Sequence, residues 1–139
     1  MPPLSHGAAQ DLLDAFKRGR EARDPEAIVS LFGEDAEYRE HPFAEPLIGS
    51  NAIREHWNEI PATQAHVDFE PERIWVSGNT VLASWHAAFT RRSSAERVRQ
   101  RGFMTLELDD DGKIWRFRQW PLEQVVGKDS TFLAEGEGS

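Results

Sequence analysis

Along the first third of the chain the apolar residues recur at helical spacing, and along the second half they alternate with polar ones. Ala9, Leu12, Leu13 and Phe16 share one face of a predicted helix over 8–23, with Lys17, Arg18, Arg20 and Glu21 covering the rest. Asp24-Pro25-Glu26 restarts a helix. The Asp24 carboxylate can accept from free N–H groups, proline suits the first turn, and Glu26 favours the positive helix end. Ile28, Leu31 and Phe32 form its buried stripe, and Gly33 is expected to supply a left-handed terminal turn. Ala36 to His41 reads as a short strand stopped by Pro42, whose ring holds the preceding residue extended. After a loop with a strand fragment at Leu47-Ile48, Ser50 caps a third helix carrying Ile53, Trp57 and Ile60, and Pro61 ends it.

From Val67 the period becomes two. Strands are predicted over 67–76, 80–90, 98–108 and 113–121, with turns at Ser77-Gly78-Asn79 and over 109–112. In the second of these, Val81, Ala83, Trp85, Ala87 and Phe89 face one way and Leu82, Ser84, His86 and Ala88 the other. Both faces are mostly apolar, so both are expected to be covered. In the third, Val98, Gln100, Gly102, Met104, Leu106 and Leu108 share a face. Helices segregated from consecutive, shortly connected strands give an α+β fold: a curved antiparallel sheet with three helices on one face enclosing a pocket. The organisation expected is an N-terminal extension over 1–7, one domain over 8–126, and a flexible polar tail over 127–139.

Composition narrows the functional classes. The chain has 139 residues, enough for one self-sufficient core. It contains no cysteine, which excludes a disulfide scaffold, a thiolate nucleophile and a cysteine-based metal site. With 24 acidic against 16 basic residues the net charge is −8, a surface that repels phosphate backbones and argues against nucleic-acid binding. Neither an apolar run long enough for a membrane span nor a leader pattern is visible, so a cytoplasmic location is the default expectation. No histidine pair has metal-ligand spacing, and there is no glycine-rich phosphate loop; neither a metal nor a cofactor is expected.

The element order, together with Asp24-Pro25-Glu26-Ala27-Ile28-Val29-Ser30-Leu31-Phe32, Asp35-Ala36-Glu37-Tyr38-Arg39-Glu40-His41-Pro42, Gly49-Ser50-Asn51-Ala52-Ile53-Arg54-Glu55 and Asp111-Gly112-Lys113-Ile114, resembles the nuclear-transport-factor-2-like superfamily. Within it, the resemblance is to the SnoaL-like and ketosteroid-isomerase-like proteins and spans roughly residues 8–122. It implies an NTF2-like (cystatin-like) cone. It says less about activity, because the fold hosts isomerases, cyclases, epoxide hydrolases, dehydratases and non-catalytic binding domains. The acid that ketosteroid isomerases use as general base corresponds here to His41, and their two oxyanion-hole donors to Phe16 and Met104. Neither of the latter can donate a strong hydrogen bond, so steroid isomerisation by that route is not expected. The limonene-epoxide-hydrolase branch needs an Asp-Arg-Asp set, and no pair of inward aspartates is apparent.

On this reading His41 is the candidate acid/base, since imidazole titrates near neutrality. Tyr38 or Arg39, on opposite faces of one strand, would stabilise developing charge, and the sequence leaves open which enters the cavity. Phe16, Trp57, Trp85, Gln100, Met104 and Trp120 are the expected pocket residues. Glu40, on the side opposite His41, is expected at the surface, and His56 and His66 are expected to be solvated. The leading expectation is cofactor-free acid/base chemistry on a small, mostly apolar organic ligand, of isomerase, cyclase, dehydratase or hydrolase type. The alternatives are a non-catalytic ligand-binding or sensing domain and a protein-interaction module using the outer sheet face. With five tryptophans, among them Trp75 and Trp115 placed outward, a homodimer through the sheet is expected.

Overall fold

The computed structural model describes residues 4–132. Residues 1–3 of the predicted extension and 133–139 of the predicted tail lie outside the described residues. Helix α1 (His6–Ala22) opens with the Ser5 hydroxyl accepting from Ala8 N–H at 3.0 Å. It ends at Arg23, which takes the left-handed position (φ 53°). Helix α2 (Pro25–Val29) begins as its sequence dictates, with Asp24 accepting from Ala27 N–H and proline in the first turn. The two helices approach so closely that a Cβ on Gly19 would stand 2.8 Å from Ile28 Cδ1.

Strand β1 (Phe32–Arg39) starts four residues earlier than the pattern suggests. Gly33 is therefore a strand residue and does not form the expected left-handed turn. The backbone has already turned at Ser30 and Leu31, and the Leu31 carbonyl accepts from Ile114 N–H at 2.9 Å, drawing Phe32 into the sheet. Then follow β2 (Leu47–Ile48), α3 (Ser50–Asn58), the single turn α4 (Ile60–Thr63), and strands β3 (Gln64–Ser77), β4 (Thr80–Arg91), β5 (Glu96–Leu108) and β6 (Ile114–Lys128).

The six strands lie in the order β2-β1-β6-β5-β4-β3. The last four form the expected antiparallel meander, but β1 joins β6 in parallel. Two strands so far apart in the chain, with helices and four strands between them, need no tight turn and are free to run the same way. β6 outruns its predicted end at Pro121 because β5 templates it to the pair Glu96↔Lys128. Its last residues are exposed on both faces, so burial left no alternating signal there.

Five interruptions of register, one between β1 and β6, two between β3 and β4 and two between β5 and β6, let the sheet bend around the helices. The core sits in that concavity. Leu13 and Phe16 of α1, Ile28 of α2, Ile53 and Trp57 of α3, and the inward residues Val81, Ala83, Trp85, Met104, Leu106 and Phe117 are sealed from solvent. The opposite face of β4 is not covered as expected: His86 is exposed, and Leu82, Ser84 and Ala88 are half-buried. Among the described residues no helix is long and apolar enough to cross a membrane.

Candidate functional site

Tyr38 settles the phase of β1. Ala36 and Tyr38 lie in the same alternation phase as Phe32, and all three are buried. The Tyr38 ring stacks on Phe117 at 4.8 Å with planes 5° apart, meets Trp57 edge-on at 6.4 Å, and lies 5.4 Å from the His56 ring. Burial, reinforced by Glu40 and opposed by Arg20, holds its phenol well above the ordinary range. Tyr38 is thus a permanent hydroxyl donor at neutral pH.

By the same alternation Glu40, two residues on, reaches toward the Tyr38 side and meets α3. Its Oε2 lies 3.1 Å from His56 Nε2, with 25% of the imidazole side chain and 45% of the carboxylate side chain exposed. The pair is therefore reachable from solvent. Imidazole and carboxylate, placed this close, are side chains able to take up and return a proton.

Arg20 completes the group. It follows Phe16 by one helical turn on α1 and points inward, its guanidinium carbon 6.0 Å from the Trp57 ring centre and 5.6 Å from that of Phe69. Arg20 Nη2 donates to Gln100 Oε1 at 3.0 Å, and Gln100 Nε2 donates to Glu123 Oε1 at 2.9 Å. Arg91 Nη2 donates to the other Glu123 oxygen at 3.2 Å. Burial lowers the Arg20 pKa, against the opposing pull of Tyr38 and Glu123.

The residues expected from the sequence are divided among three places. His41 is not at the wall of an interior pocket: it stands exposed on the turn after β1, its Nδ1 accepting from Phe43 N–H at 3.3 Å and its carbonyl from Ala44 N–H at 3.0 Å. With Tyr38 and Glu40 on the inner side, alternation places His41 on the Arg39 side, and the strand ends at Arg39 before reaching it. Arg39 and Trp120 are on the outer sheet face. Arg39 donates to the Ala44 carbonyl at 2.8 Å and lines a depression of about 320 Å³ with Glu37, Pro42, Arg116, Arg118 and Trp120. Trp120 is paired across strands with Phe103 and is 40% exposed, so it is no interior wall. Phe16, Trp57, Trp85 and Met104 are interior, but as core packing. The Phe16 ring centre is 5.3 Å from Phe69, 5.8 Å from Phe117 and 6.1 Å from Trp57, and Trp85 tilts against Phe69 at 5.5 Å. Of the expected set, the structure brings together Tyr38, Trp57 and Gln100.

Arg20, Glu40 and His56 were missed as site residues. Arg20 did carry a signal, since Leu13, Phe16 and Arg20 recur at helical spacing. His56 and Glu40 carried none, because their pairing joins two elements. His66 is exposed, and it bonds through Nδ1 to Asp129 Oδ2 at 2.8 Å. Among the described residues no group of three His, Cys, Asp or Glu side chains could hold a metal ion.

A family model described as a SnoaL-like domain matches residues 9–117, more than half of the chain. No curated protein matches the chain in sequence. Among solved structures, the epoxide hydrolase/cyclase-like enzyme SalBIII of pyran-ring formation in the polyether salinomycin is similar. It has a TM-score of 0.77 and 23% identity, over 87% of this chain and 98% of that one. An LEH-like epoxide hydrolase of M. tuberculosis superposes with a TM-score of 0.70 at 18% identity, over 94% and 89% of the two chains. A protein of ketosteroid isomerase-like fold from Catenulispora acidiphila DSM 44928, in complex with trimethylamine, gives 0.72 at 14% identity, over 79% and 84%. At these identities the likeness is one of fold.

Proposed function

The chain belongs to the SnoaL-like domain family, and from that premise we propose that it acts on a small organic molecule by cofactor-free acid/base chemistry, with His56 as the base. The observation that carries this reading is the 3.1 Å contact of Glu40 with His56 beside the buried Tyr38. The carboxylate orients the imidazole. Nδ1 takes a proton from a carbon acid or from an attacking water, and returns it to the product. Tyr38, kept protonated by burial, supplies a donor for an oxyanion, which Phe16 and Met104 do not. A positioned base of this kind contributes roughly 10²–10⁴-fold in rate. Similarity to epoxide hydrolase and cyclase-like folds supports epoxides and enolisable carbonyls as the first substrates to try.

The test is turnover of an epoxide and cyclic-ketone panel, read by product formation and by deuterium exchange beside the carbonyl. His56→Ala is expected to abolish either signal while His41→Ala leaves it within about twofold. Equal turnover in wild type and His56→Ala would remove His56 from the mechanism. A second reading, a ligand-binding domain without turnover, is favoured by the packing of Phe16 among Trp57, Phe69 and Phe117. Stabilisation by panel members with no product in wild type would establish it instead.

A further inference from the structure

Two adjacent cross-strand rows on the outer sheet face carry different charge patterns. In the first, Glu37 of β1 stands opposite Arg116 of β6, and Arg116 opposite Glu107 of β5. The signs alternate, and Arg116 donates to both Glu107 oxygens. In the second row, Arg39 stands opposite Arg118, and Arg118 opposite the neutral Thr105. Two like charges thus face each other on neighbouring strands, which destabilises a sheet unless something negative joins them. The described residues supply nothing of the kind. Arg39 donates to the Ala44 carbonyl and, among them, pairs with no carboxylate. Arg118 donates no hydrogen bond among them. Its Nε has no partner, and the nearest carboxylate oxygen, Glu107 Oε2, stays 3.7 Å from Nη2 and is already held by Arg116.

We infer that the depression lined by Arg39 and Arg118 binds a small organic carboxylate, which supplies the acid that the second row lacks. The site is separate from the His56 pair and independent of the reading given above, since Arg39 and Arg118 point outward from strands whose inner face carries Tyr38 and Phe117. Its volume of about 320 Å³ is that of a small-molecule site. Both guanidinium side chains are half-buried, so they are steadied by their neighbours and still reachable from solvent. Their planar forks match the two oxygens of a carboxylate. Three arginines against Glu37 and Glu107 leave one positive charge. A carboxylate balances it, whereas a phosphate dianion exceeds it and meets Glu37 in the same lining. Pro42 and the exposed part of Trp120 complete the lining and give the ligand's apolar body a wall. The ligand is then an amphiphilic acid held on the outer sheet face.

The experiment is titration of the ¹⁵N-labelled protein, at constant ionic strength, with benzoate and 3-phenylpropionate, with their amides, and with inorganic phosphate. The readouts are Tm and the indole N–H resonances of Trp120 and Trp57, assigned by Trp120→Phe and Trp57→Phe. The acids are expected to raise Tm and to move the Trp120 resonance while the interior Trp57 stays in place, and the amides and phosphate to do neither. Arg39→Gln and Arg118→Gln are each expected to bind the acids roughly tenfold or more weakly, the loss of one charge-assisted hydrogen bond. Without ligand, Arg118→Gln is expected to melt no lower than wild type, because a facing like charge has been removed. A lower Tm would show that the protein already satisfies this charge, and would overturn the inference. So would amides or phosphate binding as tightly as the acids, undiminished acid binding by both variants, or no response to either acid. Acid binding lost in His56→Ala would place the ligand in the interior instead, and acid binding retained there with no turnover in wild type leaves this site standing without the catalysis. Sedimentation velocity separates a free acid from a carboxylate of a second copy. Arg39→Gln is expected to keep the assembly state of wild type, and its dissociation would make a neighbouring chain the occupant.

Discussion

His56 Nε2 lies 3.1 Å from Glu40 Oε2, which ties the last turn of α3 to the residue that follows β1. If the carboxylate orients the imidazole for proton transfer, Glu40→Gln keeps the shape and loses the charge. Turnover is then expected to fall by roughly tenfold or more, and by less than in His56→Ala. Steady-state rates of the two variants on one substrate check this. Equal losses in both would mean that the pair acts only as a unit.

Tyr38 is the single tyrosine of the chain, so its ionisation can be read without ambiguity. Its folded pKa is raised by burial above the unfolded value of about 10. The folded phenol stays neutral where the unfolded one ionises, so the protein loses stability as pH rises above about 10. Absorbance at 295 nm is expected to stay flat until the far-UV circular dichroism signal collapses, and then to rise with it. A tyrosinate signal near pH 10 in still-folded protein would contradict the burial of this hydroxyl.

Asp129 fixes the end of β6. Its carboxylate accepts from Thr90 Oγ1 at 2.5 Å, from His66 Nδ1 at 2.8 Å and from Phe132 N–H at 3.1 Å, and these bonds hold it well below the usual carboxylate range. A depressed folded pKa gives stability that is present above the unfolded value of about 3.9 and fades as pH falls below it. The Tm gap between wild type and Asp129→Asn is expected to be constant from about pH 5 to 7 and to close below about pH 4. A gap independent of pH would assign the effect to something other than the charge.

Gly102 is required by close approach. A Cβ there would stand 2.6 Å from Trp85 Cζ2, 2.8 Å from Trp85 Cε2 and 3.0 Å from the Trp120 carbonyl. The indole is packed against Phe69 and the carbonyl belongs to the neighbouring strand, so neither yields freely. Gly102→Ala is expected to cost about 1–3 kcal/mol in urea denaturation.

The outer sheet face carries a row of exposed rings. Trp75 and Trp120 are 43% and 40% exposed and flank Phe103, at ring distances of 6.0 and 6.4 Å. We propose that two copies of the chain pair through this face, because a row of exposed aromatics of this kind marks an interaction surface. Sedimentation velocity is expected to give a dimer for wild type and a monomer for Phe103→Glu. A monomeric wild type at micromolar concentration would end the proposal.

Local chemistry was enough to determine much of this molecule. Asp24-Pro25 starts α2 because a cap and a proline act within one turn. Val81 to Phe89 bury their expected face because side-chain direction in a strand has a period of two. These are short-range effects, and the fold class follows from their order. The site was decided by phase and by distance across the chain. The phase of β1, set by the burial of Phe32 and Ala36, put Tyr38 inward and Arg39 outward, and the strand's end at Arg39 left His41 on an exposed turn. Glu40 found His56, and Arg20 found Gln100 80 residues away. Contacts between elements depend on how curved surfaces meet in space, and no spacing along the chain encodes that. The sequence could therefore say that a polar group would sit in this fold's concavity, while only tertiary packing chose which one.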